Sequence, residues 1–432
     1  MSFNVPETDK KRVVIVGGGF GGLKLANQLK GSGFQVVLVD KNNYHQFLPL
    51  IYQVASAGLE PSSISFPFRK IFRKREDFYF RWANVTGFRA EKNTVSTSIG
   101  KLRYDYLILA AGTVTNYFGN ANIEEAALPM KTVEEAMTMR NIVLSNLEKA
   151  VTCEDPVQKQ ELMNIVIVGG GATGVEISGV LSEMKRFVIP GDYPDLDVSK
   201  INVYLIEASS KLLGAMSPHS SASSEKFLRG MGINVLMNTK VLDYKDNKVV
   251  LDNGQEIPTQ TFIWVSGVRA TAFNHVKPEQ LNRGGRIMVD EFNRVKGTEN
   301  VFAIGDICYQ TEKDYPNGHP QLAQVAIQQG VLLASNLKKL ENGEKLEPFH
   351  YRNLGSLATI GRNKAVADFA NINTHGWFAW IIWLVVHLRS ILGIRNKLVV
   401  LINWVWSYLT YDNHIRLIMS AKKHITVDDE ED

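Results

Sequence analysis

The apolar residues of this chain form short β-branched runs that alternate with helical patterns, and two of these runs end in the same glycine-rich turn. RVVIVGGGFGG at 12–22 and NIVIVGGGATG at 164–174 each predict a strand, a Gly-x-Gly-x-x-Gly turn and the start of a helix. In this context the motif typically binds a dinucleotide. The repeat therefore predicts an α/β chain with two Rossmann-like dinucleotide-binding units.

The glycines of this motif have distinct physical tasks. The first permits a tight turn, the second lets backbone N–H groups approach a pyrophosphate, and the third lets helix and strand pack closely. The N-terminus of the following helix adds partial positive charge. We assign the first turn to one cofactor through Gly17, Gly19, Phe20, Gly21 and Gly22, and the second turn to another through Gly169, Gly171 and Gly174.

An acid at the end of the second strand of each unit is expected to bind ribose hydroxyls. QVVLVDK supplies Asp40, followed by Lys41, and INVYLIEA supplies Glu207. A carboxylate at Glu207 accepts from a 2′-hydroxyl and repels a 2′-phosphate, so NADH is favoured over NADPH. Lys211 lies close in sequence and leaves the strictness of that choice open.

The second unit shows a regular series of strand patterns. Strands are predicted near 165–168, 202–206 and 233–237, with a hairpin in KVLDYKDNKVVLDNGQEI. The helix through SEMKRFVIP is followed by an inserted loop, GDYPDLDVSK. TFIWVSGV at 261–268 closes the unit and places Gly267 where a nicotinamide ribose would lie.

Two further stretches indicate which unit holds a flavin. ENVFAIGDIC at 299–308 is a strand that ends at Gly305-Asp306, where an acid can reach a ribityl hydroxyl, and YDYLILAAGT at 104–113 contains Ala111 and Gly112. Together they resemble the accessory flavin motifs of flavoprotein reductases with two dinucleotide-binding domains. The alternative is structural, with Asp306 as a helix N-cap and the second stretch as a turn.

That resemblance implies an FAD domain split by an inserted NADH domain. We predict FAD-binding parts at 1–120 and 285–345, an NADH-binding domain at 121–284, and a C-terminal membrane-anchoring region at 346–432. FAD and NADH are the predicted cofactors.

The run WFAWIIWLVV at 377–386 is apolar but short. A transmembrane helix needs about 20 apolar residues, and here His387 and Arg389 interrupt the run. Trp377, Trp380, Trp383, Trp404 and Trp406 are five of the chain's seven tryptophans and are interleaved with basic residues. Tryptophan and basic side chains favour the bilayer surface, so we predict amphipathic helices that anchor the chain there. LVVLINWVWSYLTY also fits a strand, and some of these residues fit a dimer interface.

Composition narrows the function further. A length of 432 residues predicts two or three domains, and a net charge of +4 is too mild to indicate nucleic-acid binding. Cys153 and Cys308 are the only cysteines and are far apart, so neither a disulfide reductase pair nor a metal cluster is expected. The N-terminal segment does not fit a signal peptide.

The segment HPQLAQVAIQQG at 319–330 predicts a helix with Pro320 as its first residue. Its N-terminus would stabilise an anionic reduced flavin. Gln321, Gln324, Gln328 and Gln329 lie along it, and from periodicity alone they read as solvated glutamines on a surface helix.

Three stretches together resemble one family. AQVAIQQG, NYHQFLPLIYQVASAGLEPSSIS at 43–65, and FHYRNLGSLATIGRNKAVADF before the tryptophan-rich stretches are similar to type II NADH:quinone oxidoreductases over nearly the whole chain. The resemblance implies non-covalent FAD, NADH as donor and a membrane quinone (ubiquinone or menaquinone) as acceptor, without proton pumping. It also implies monotopic attachment to the cytoplasmic face of the inner membrane and a homodimer.

The resemblance also implies roles for single residues. Gln324 would line the quinone pocket, Ala323 would lie against the flavin, and Glu176 in GATGVE would relay the proton that quinone reduction requires. As an acid in the first turn of a helix, Glu176 equally fits complementation of the helix dipole. His45 is given no catalytic role.

Two other classes compete with this interpretation. One is a soluble NADH-dependent reductase of a small redox protein, and the other is a non-enzymatic NADH-sensing flavoprotein of the apoptosis-inducing-factor type. The tryptophan-rich C-terminal region favours the quinone oxidoreductase, because a soluble reductase has no need for exposed tryptophans.

Overall fold

The computed structural model describes residues 3–370, 372–411 and 415–419. The chain divides into two compact units. The first unit consists of residues 1–46, 65–116 and 267–354, and the second unit of residues 47–64, 117–266 and 355–432. The predicted domains were defined by the cofactor that each would bind, whereas these two units are defined by contacts within the chain. The predicted boundaries therefore stay a prediction.

The first unit is built on a five-stranded parallel sheet. The strand Arg12–Val16 lies at its centre and is buried throughout, as its run of β-branched residues predicts. The order of strands across the sheet is Val301–Ala303, Tyr106–Leu109, Arg12–Val16, Gln35–Asp40 and Phe78–Trp82. Smaller antiparallel pairings complete the unit: Val85–Arg89 with Thr94–Thr97 and Gly100–Arg103, Tyr44–Gln46 with Ser65–Pro67, and Thr113–Thr115 with Val268–Ala270.

Two helices of the first unit pack closely because glycines meet at their crossing. They are Phe20–Gln28, which follows the first glycine turn, and Ala323–Glu341. A Cβ added to Gly330 would lie 2.7 Å from the carbonyl oxygen of Gly21. Any side chain at Gly330 would therefore push the helices apart.

The second of these two helices begins later than the sequence predicts. Pro320 was expected as its first residue, but the helix starts at Ala323 and Leu322 is extended. Tertiary contacts hold the preceding loop: the backbone N–H of His319 donates to the carbonyl oxygen of Gln310, and the side chain of Gln321 donates to that of Asp306. The prediction was wrong because these long-range bonds override the local preference of proline for a first turn.

The second unit repeats the parallel arrangement with four strands. Their order is Asn234–Leu236, Asn202–Ile206, Asn164–Val168 and Thr261–Trp264, which confirms the predicted strands. The predicted hairpin is present as Val241–Lys245, Lys248–Leu251 and Glu256–Pro258. Asp246 and Asn247 both have positive φ at its first turn, as two-residue hairpins require.

The helices of the second unit include Val133–Thr152, Pro156–Met163, Ala172–Glu183 and Pro218–Gly230. Shorter helices are Ile51–Ala55, Pro61–Ile64 and Ala121–Ala126. The helix Val133–Thr152 starts at a capping box, in which Thr132 and Glu135 satisfy each other's backbone N–H groups. The helix Ala172–Glu183 continues through a π-helical turn, Met184–Val188, into Ile189–Asp192 before the predicted loop.

The C-terminal part of the second unit is a small sheet followed by two helices. The strands Ser356–Gly361, Lys364–Phe369 and Ile372–His375 are antiparallel. The helices are Trp377–Ser390 and Ile394–Thr410, so LVVLINWVWSYLTY is helical rather than a strand. Within the described residues, no helix combines the length and apolarity needed to cross a membrane.

Candidate functional site

The first glycine turn is tightly packed on one side and open on the other. A Cβ added to Gly17 would lie 2.5 Å from the carbonyl oxygen of Ala110, and one added to Gly22 would lie 1.9 Å from that of Gly17. A Cβ added to Gly19 meets no atom within 4 Å, so the space beside it is open. The helix Phe20–Gln28 begins at this turn with Gly19 as N-cap and without a side-chain cap. The turn therefore fits a pyrophosphate group.

Asp40 is fixed at the end of its strand by two backbone N–H groups. Its Oδ2 accepts from the N–H of Gly18 at 2.6 Å and its Oδ1 accepts from that of Asn42 at 2.7 Å. Burial raises the pKa of Asp40, while these two bonds and the charge of Lys41 oppose that shift. The carboxylate is thus held at the mouth of the glycine turn, as a ribose-binding acid must be.

The second glycine turn repeats this geometry in the second unit. A Cβ added to Gly174 would lie 1.8 Å from the carbonyl oxygen of Gly169, and Gly171 is the uncapped N-cap of the next helix. Oε2 of Glu207 accepts from the N–H of Gly170 at 2.6 Å, and its Oε1 accepts from that of Ser209 at 2.7 Å. Glu207 therefore takes the same position relative to its turn as Asp40 does.

The remaining predicted cofactor residues lie in the first unit. The N–H of Gly305 donates to Oε1 of Gln329 at 2.7 Å, and the carbonyl oxygen of Asp306 accepts from the side chain of Gln321 at 3.0 Å. Four further residues of this unit were predicted to bind FAD: Ala111, Gly112, Asp306 and Ala323. Gly267, predicted to bind NADH, also falls in the first unit, where its carbonyl oxygen accepts from the N–H of Asn116. Its predicted role is not tested by this placement.

The second unit contains an open, largely apolar cavity of about 550 Å³. Its walls come from the short helix Ile51–Ala55, the helix Ala172–Glu183, the strand Ser356–Gly361 and both C-terminal helices. Tryptophan, leucine and valine are the most frequent lining residues, and the polar groups among the lining include Tyr52, Gln53, Glu176, Glu183 and Arg362. Such a lining suits a flat apolar ligand with a few polar atoms.

The sequence matches two family profiles along most of its length. Residues 11–330 match the pyridine nucleotide-disulphide oxidoreductase family, and residues 353–411 match the NDH2 C-terminal domain. A type II NADH:quinone oxidoreductase of Mycobacterium tuberculosis is 33% identical over 417 residues, which cover 93% of this chain and 87% of that protein. The chain belongs to the type II NADH:quinone oxidoreductases.

Other relatives of this oxidoreductase span equally much of the chain. A mitochondrial internal alternative NAD(P)H-ubiquinone oxidoreductase of Arabidopsis thaliana is 31% identical over 441 residues, which cover 93% of this chain and 85% of that protein. The structure of NDH2 from Plasmodium falciparum in complex with NADH superposes with a TM-score of 0.87 at 22% identity, covering 95% of this chain and 100% of that chain. The predicted fold is thus confirmed.

Glu176 of this oxidoreductase is a carboxyl group with an unusual affinity for its proton. Burial raises its pKa to about 8, against the opposing effect of a hydrogen bond from the backbone N–H of Thr359. At neutral pH the group is therefore mostly protonated, and its side chain lines the apolar cavity. A carboxyl group with a pKa in this range can both hold and release a proton near neutral pH.

Gln324 lies in the first unit, whereas Glu176 lies in the second. Its Oε1 accepts from the backbone N–H of Leu354 at 3.0 Å. One turn later, Gln328 both accepts from the N–H of Arg352 and donates to its carbonyl oxygen. Gln329 is buried and bonded to Gly305. The glutamines of this helix hold neighbouring backbone, so the interpretation as merely solvated side chains was wrong.

The cavity contains polar groups that the sequence did not single out. Nε2 of Gln53 donates to the hydroxyl of Tyr52 at 2.7 Å, and Nε1 of Trp404 donates to Oε1 of Gln53 at 2.8 Å. Glu183 and Arg362 complete the set. One signal was available in advance, because Glu183 follows Glu176 by seven residues and so falls on the same helical face.

His45 contacts the first glycine turn. His45 is buried, its Nδ1 lies 2.9 Å from the carbonyl oxygen of Gly18, and burial lowers its pKa. It therefore supports the first glycine turn as a neutral imidazole. Among the described residues, no group of three or more histidine, cysteine or acidic side chains is arranged to hold a metal ion.

Proposed function

We propose that this chain oxidises NADH, passes the two electrons through FAD to a membrane quinone, and releases quinol without pumping protons. The observation that carries the proposal is the apolar cavity with Glu176 in its wall, in a chain that belongs to the type II NADH:quinone oxidoreductases. Bound FAD supplies the chemistry that accepts a hydride from NADH and returns electrons to a quinone.

The first glycine turn is the FAD site and the second is the NADH site in this proposal. The first turn shares its unit with Asp306, Ala111 and Gly112, which resemble flavin-binding positions. The second turn has Glu207, whose carboxylate would accept from the 2′-hydroxyl of NADH and repel the 2′-phosphate of NADPH. Ala323 would lie against the flavin, and Gly267 near the nicotinamide ribose.

The quinone ring occupies the cavity of the second unit, and Glu176 gives it a proton. Reduction of a quinone to quinol needs two electrons and two protons, whereas the hydride from NADH carries two electrons and one proton. One further proton must therefore come from the protein. Glu176 has a raised pKa, lines the cavity and is a carboxyl group that holds a proton at neutral pH.

In this proposal the last two helices bind the bilayer surface, and the cavity that they line opens towards lipid. Large apolar side chains are exposed on them, with Ile394 78%, Leu398 53% and Ile402 64% exposed, and these three follow one another at helical spacing. Arg389, Arg395 and Lys397 lie nearby in the sequence, where they would meet anionic headgroups. A lipid-dissolved quinone, ubiquinone or menaquinone, would then enter from the bilayer at the cytoplasmic face of the inner membrane. A homodimer is part of the same proposal.

Rapid mixing tests the proposal directly. The oxidised holoenzyme is reduced anaerobically with one equivalent of NADH and then mixed with a short-chain quinone, while the absorbance of the flavin is followed. We expect bleaching by NADH and full recovery by quinone within one turnover. Flavin that NADH reduces but no quinone reoxidises would show that the acceptor is a different molecule.

A further inference from the structure

Glu183 is the second carboxyl group of the cavity, and it shares a helical face with Glu176. The two residues are seven positions apart on the helix Ala172–Glu183, which is about two turns or about 10 Å along the axis. Val180 lies between them, and all three side chains line the cavity. One face of this helix thus carries an acid at each end of the cavity wall.

Backbone N–H groups of the strand Ser356–Gly361 and of the turn that follows it hold both carboxyl groups. The N–H of Thr359 donates to Glu176, and the N–H of Arg362 donates to Oε1 of Glu183 at 2.5 Å. The register of this strand against its neighbour shifts between Thr359 and Gly361. The two bonds to the acids therefore lie on either side of this irregularity.

Glycine at position 179 makes that contact possible. A Cβ added to Gly179 would lie 1.7 Å from the carbonyl oxygen of Ile360, so the helix and the strand touch through backbone. The close approach brings the N–H groups within reach of both acids. It fixes the two carboxyl groups relative to each other on one rigid support.

Tyr52 is electrostatically coupled to both carboxyl groups. Burial first, and then the charges of Glu176 and Glu183, raise the pKa of Tyr52 well above its usual value. The phenol oxygen accepts from Gln53, and no acceptor for its own hydrogen is present among the described residues. A hydroxyl with a free hydrogen inside a cavity of this volume can pass a proton through one or two waters.

The surroundings of Glu183 favour a carboxyl group that takes up and gives back protons. Burial raises its pKa, while the N–H of Arg362 and the charges of Arg362 and Lys364 hold that rise down. The guanidinium of Arg362 does not pair with the acid, because it donates to the carbonyl oxygens of Ser407 and Tyr408.

Other charged groups border the helix on its remaining sides. Lys185 and exposed Arg186 lie in the π-helical turn that follows Glu183, and on the helix Pro218–Gly230 Glu225 pairs with Arg229. His387, on the first C-terminal helix, has a pKa lowered to about 4 by burial and is neutral.

We propose that Glu183 delivers the proton that recharges Glu176 after each quinone reduction, by way of Tyr52 and cavity water. This step rests on the proposed function. Glu176 loses one proton to the quinone oxygen, Glu183 returns one to Glu176, and Glu183 then takes one from solvent. The net uptake is one proton per NADH oxidised, as the overall reaction requires.

The variant Glu183→Gln tests the relay, because it removes the carboxyl group with little change in size. In wild-type enzyme Glu176 starts each experiment protonated, so the first turnover needs no relay. We expect Glu183→Gln to reoxidise its flavin in the first turnover at the wild-type rate and then to turn over about tenfold more slowly. Glu154→Gln, an exposed carboxyl group of the same unit, is the control and should behave as wild type throughout.

Two readouts separate a relay from a structural role. Steady-state turnover of Glu183→Ala should recover when small weak acids such as formate are added, because they can enter the cavity and protonate Glu176. Glu183→Asp should restore part of the rate and the pH profile. Equal slowing of the first and later turnovers, or absence of rescue by weak acid with an intact fold, would overturn the relay. Wild-type enzyme whose flavin no quinone reoxidises would instead overturn the proposed function.

Discussion

The two glycine turns and the apolar cavity differ in what positions their polar groups. In each turn a carboxylate is fixed by a backbone N–H of the turn itself, Asp40 by Gly18 and Glu207 by Gly170. In the cavity, Glu176 is fixed by Thr359, a residue of a distant strand, and Gln53 by Trp404 of the last helix. Each turn is built from one local segment, whereas the cavity depends on five elements that are separate along the chain.

This difference predicts how each region fails when it is changed. A residue that blocks a glycine turn should remove one cofactor and leave the other in place. A change in the cavity should leave both cofactors and alter only the step that involves the quinone. Variants of each region test whether the two regions fail separately.

The largest effect is expected from alanine at the third glycine of each turn. The added Cβ of Gly22→Ala would lie 1.9 Å from the carbonyl oxygen of Gly17, and that of Gly174→Ala would lie 1.8 Å from the carbonyl oxygen of Gly169. We expect Gly22→Ala to be isolated without flavin. Gly174→Ala should keep its flavin but lose reduction by NADH, measured by absorbance and rapid mixing.

Each turn supplies its own control for this pair. A Cβ at Gly19 or Gly171 meets no protein atom within 4 Å, so alanine there leaves the fold intact. Any weakening of cofactor binding in Gly19→Ala or Gly171→Ala then reports on the ligand alone. If Gly22→Ala kept flavin and Gly174→Ala lost it, the two cofactors would have to be exchanged between the turns.

The acid of the cavity should affect quinone and nothing else. We expect Glu176→Gln to slow reoxidation of the flavin by quinone about 100-fold, already in the first turnover, with flavin content and reduction by NADH unchanged. In wild-type enzyme the donor form of Glu176 exists below its pKa of about 8 and is lost as the pH rises through that value. The quinone step should therefore be constant from neutral pH to near 8 and fall above it.

The pH dependence identifies the proton donor more specifically than the rate alone does. In Glu176→Gln the fall near pH 8 should disappear, since the group that titrates is gone. A variant that is slow but keeps the same alkaline fall would show that another group donates the proton. An unchanged rate would remove Glu176 from the quinone step; complementation of the helix dipole would not explain it either, because no acid lies in the first turn of the helix Ala172–Glu183.

The local regions were predictable from the sequence and the assembled region was not. The glycine turns, Asp40 and Glu207 follow from motif and spacing, because the geometry they need is contained in one β–turn–helix unit. The start of the helix at Ala323 was missed, since bonds from His319 and Gln321 to distant backbone decide it. The tryptophans indicated a special C-terminal region, but their spacing gave no sign that Trp404 would bond Gln53.

Three residues of the cavity could not be assigned to it from local sequence patterns: Tyr52, Glu183 and Arg362. Tyr52 and Arg362 lie in stretches that resemble the family, but the sequence predicted no role for them or for Glu183, because chain segments far apart in sequence bring the three to one cavity. Periodicity placed Glu183 on the face of Glu176, but it could not show that backbone N–H groups of a distant strand and its following turn would bond both acids. Long-range pairing of this kind is invisible to local patterns.

The exposed face of the last helix should govern membrane binding and leave the cavity intact. Ile394, Leu398 and Ile402 are exposed and do not line the cavity. Changing all three to glutamate should weaken flotation with anionic liposomes at least about tenfold, because burial of a large apolar side chain is worth about 1.5–3 kcal/mol. Activity with a short, water-soluble quinone should persist. Deletion of 375–432 is a poorer test, because it also removes walls of the cavity.

Val157→Glu is the control for this surface. Val157 is 67% exposed in the same unit but lies outside the C-terminal helices, so liposome binding should not change. If the triple variant altered the oligomeric state while liposome binding stayed the same, the face would be a contact between two copies of the chain.

The smallest effect is expected at Gln324. Gln328, one helical turn later, is the matched control. Both Gln324 and Gln328 bond the backbone of the segment 352–354, so alanine at either position removes a packing interaction. Loss of one hydrogen bond is worth about 1 kcal/mol, or about fivefold in a binding constant. If Gln324 also contacts quinone, Gln324→Ala should raise the quinone KM about fivefold with the NADH KM unchanged, whereas Gln328→Ala should change neither. Equal effects of the two variants would assign Gln324 to packing alone, and the quinone site would then be defined by the cavity of the second unit.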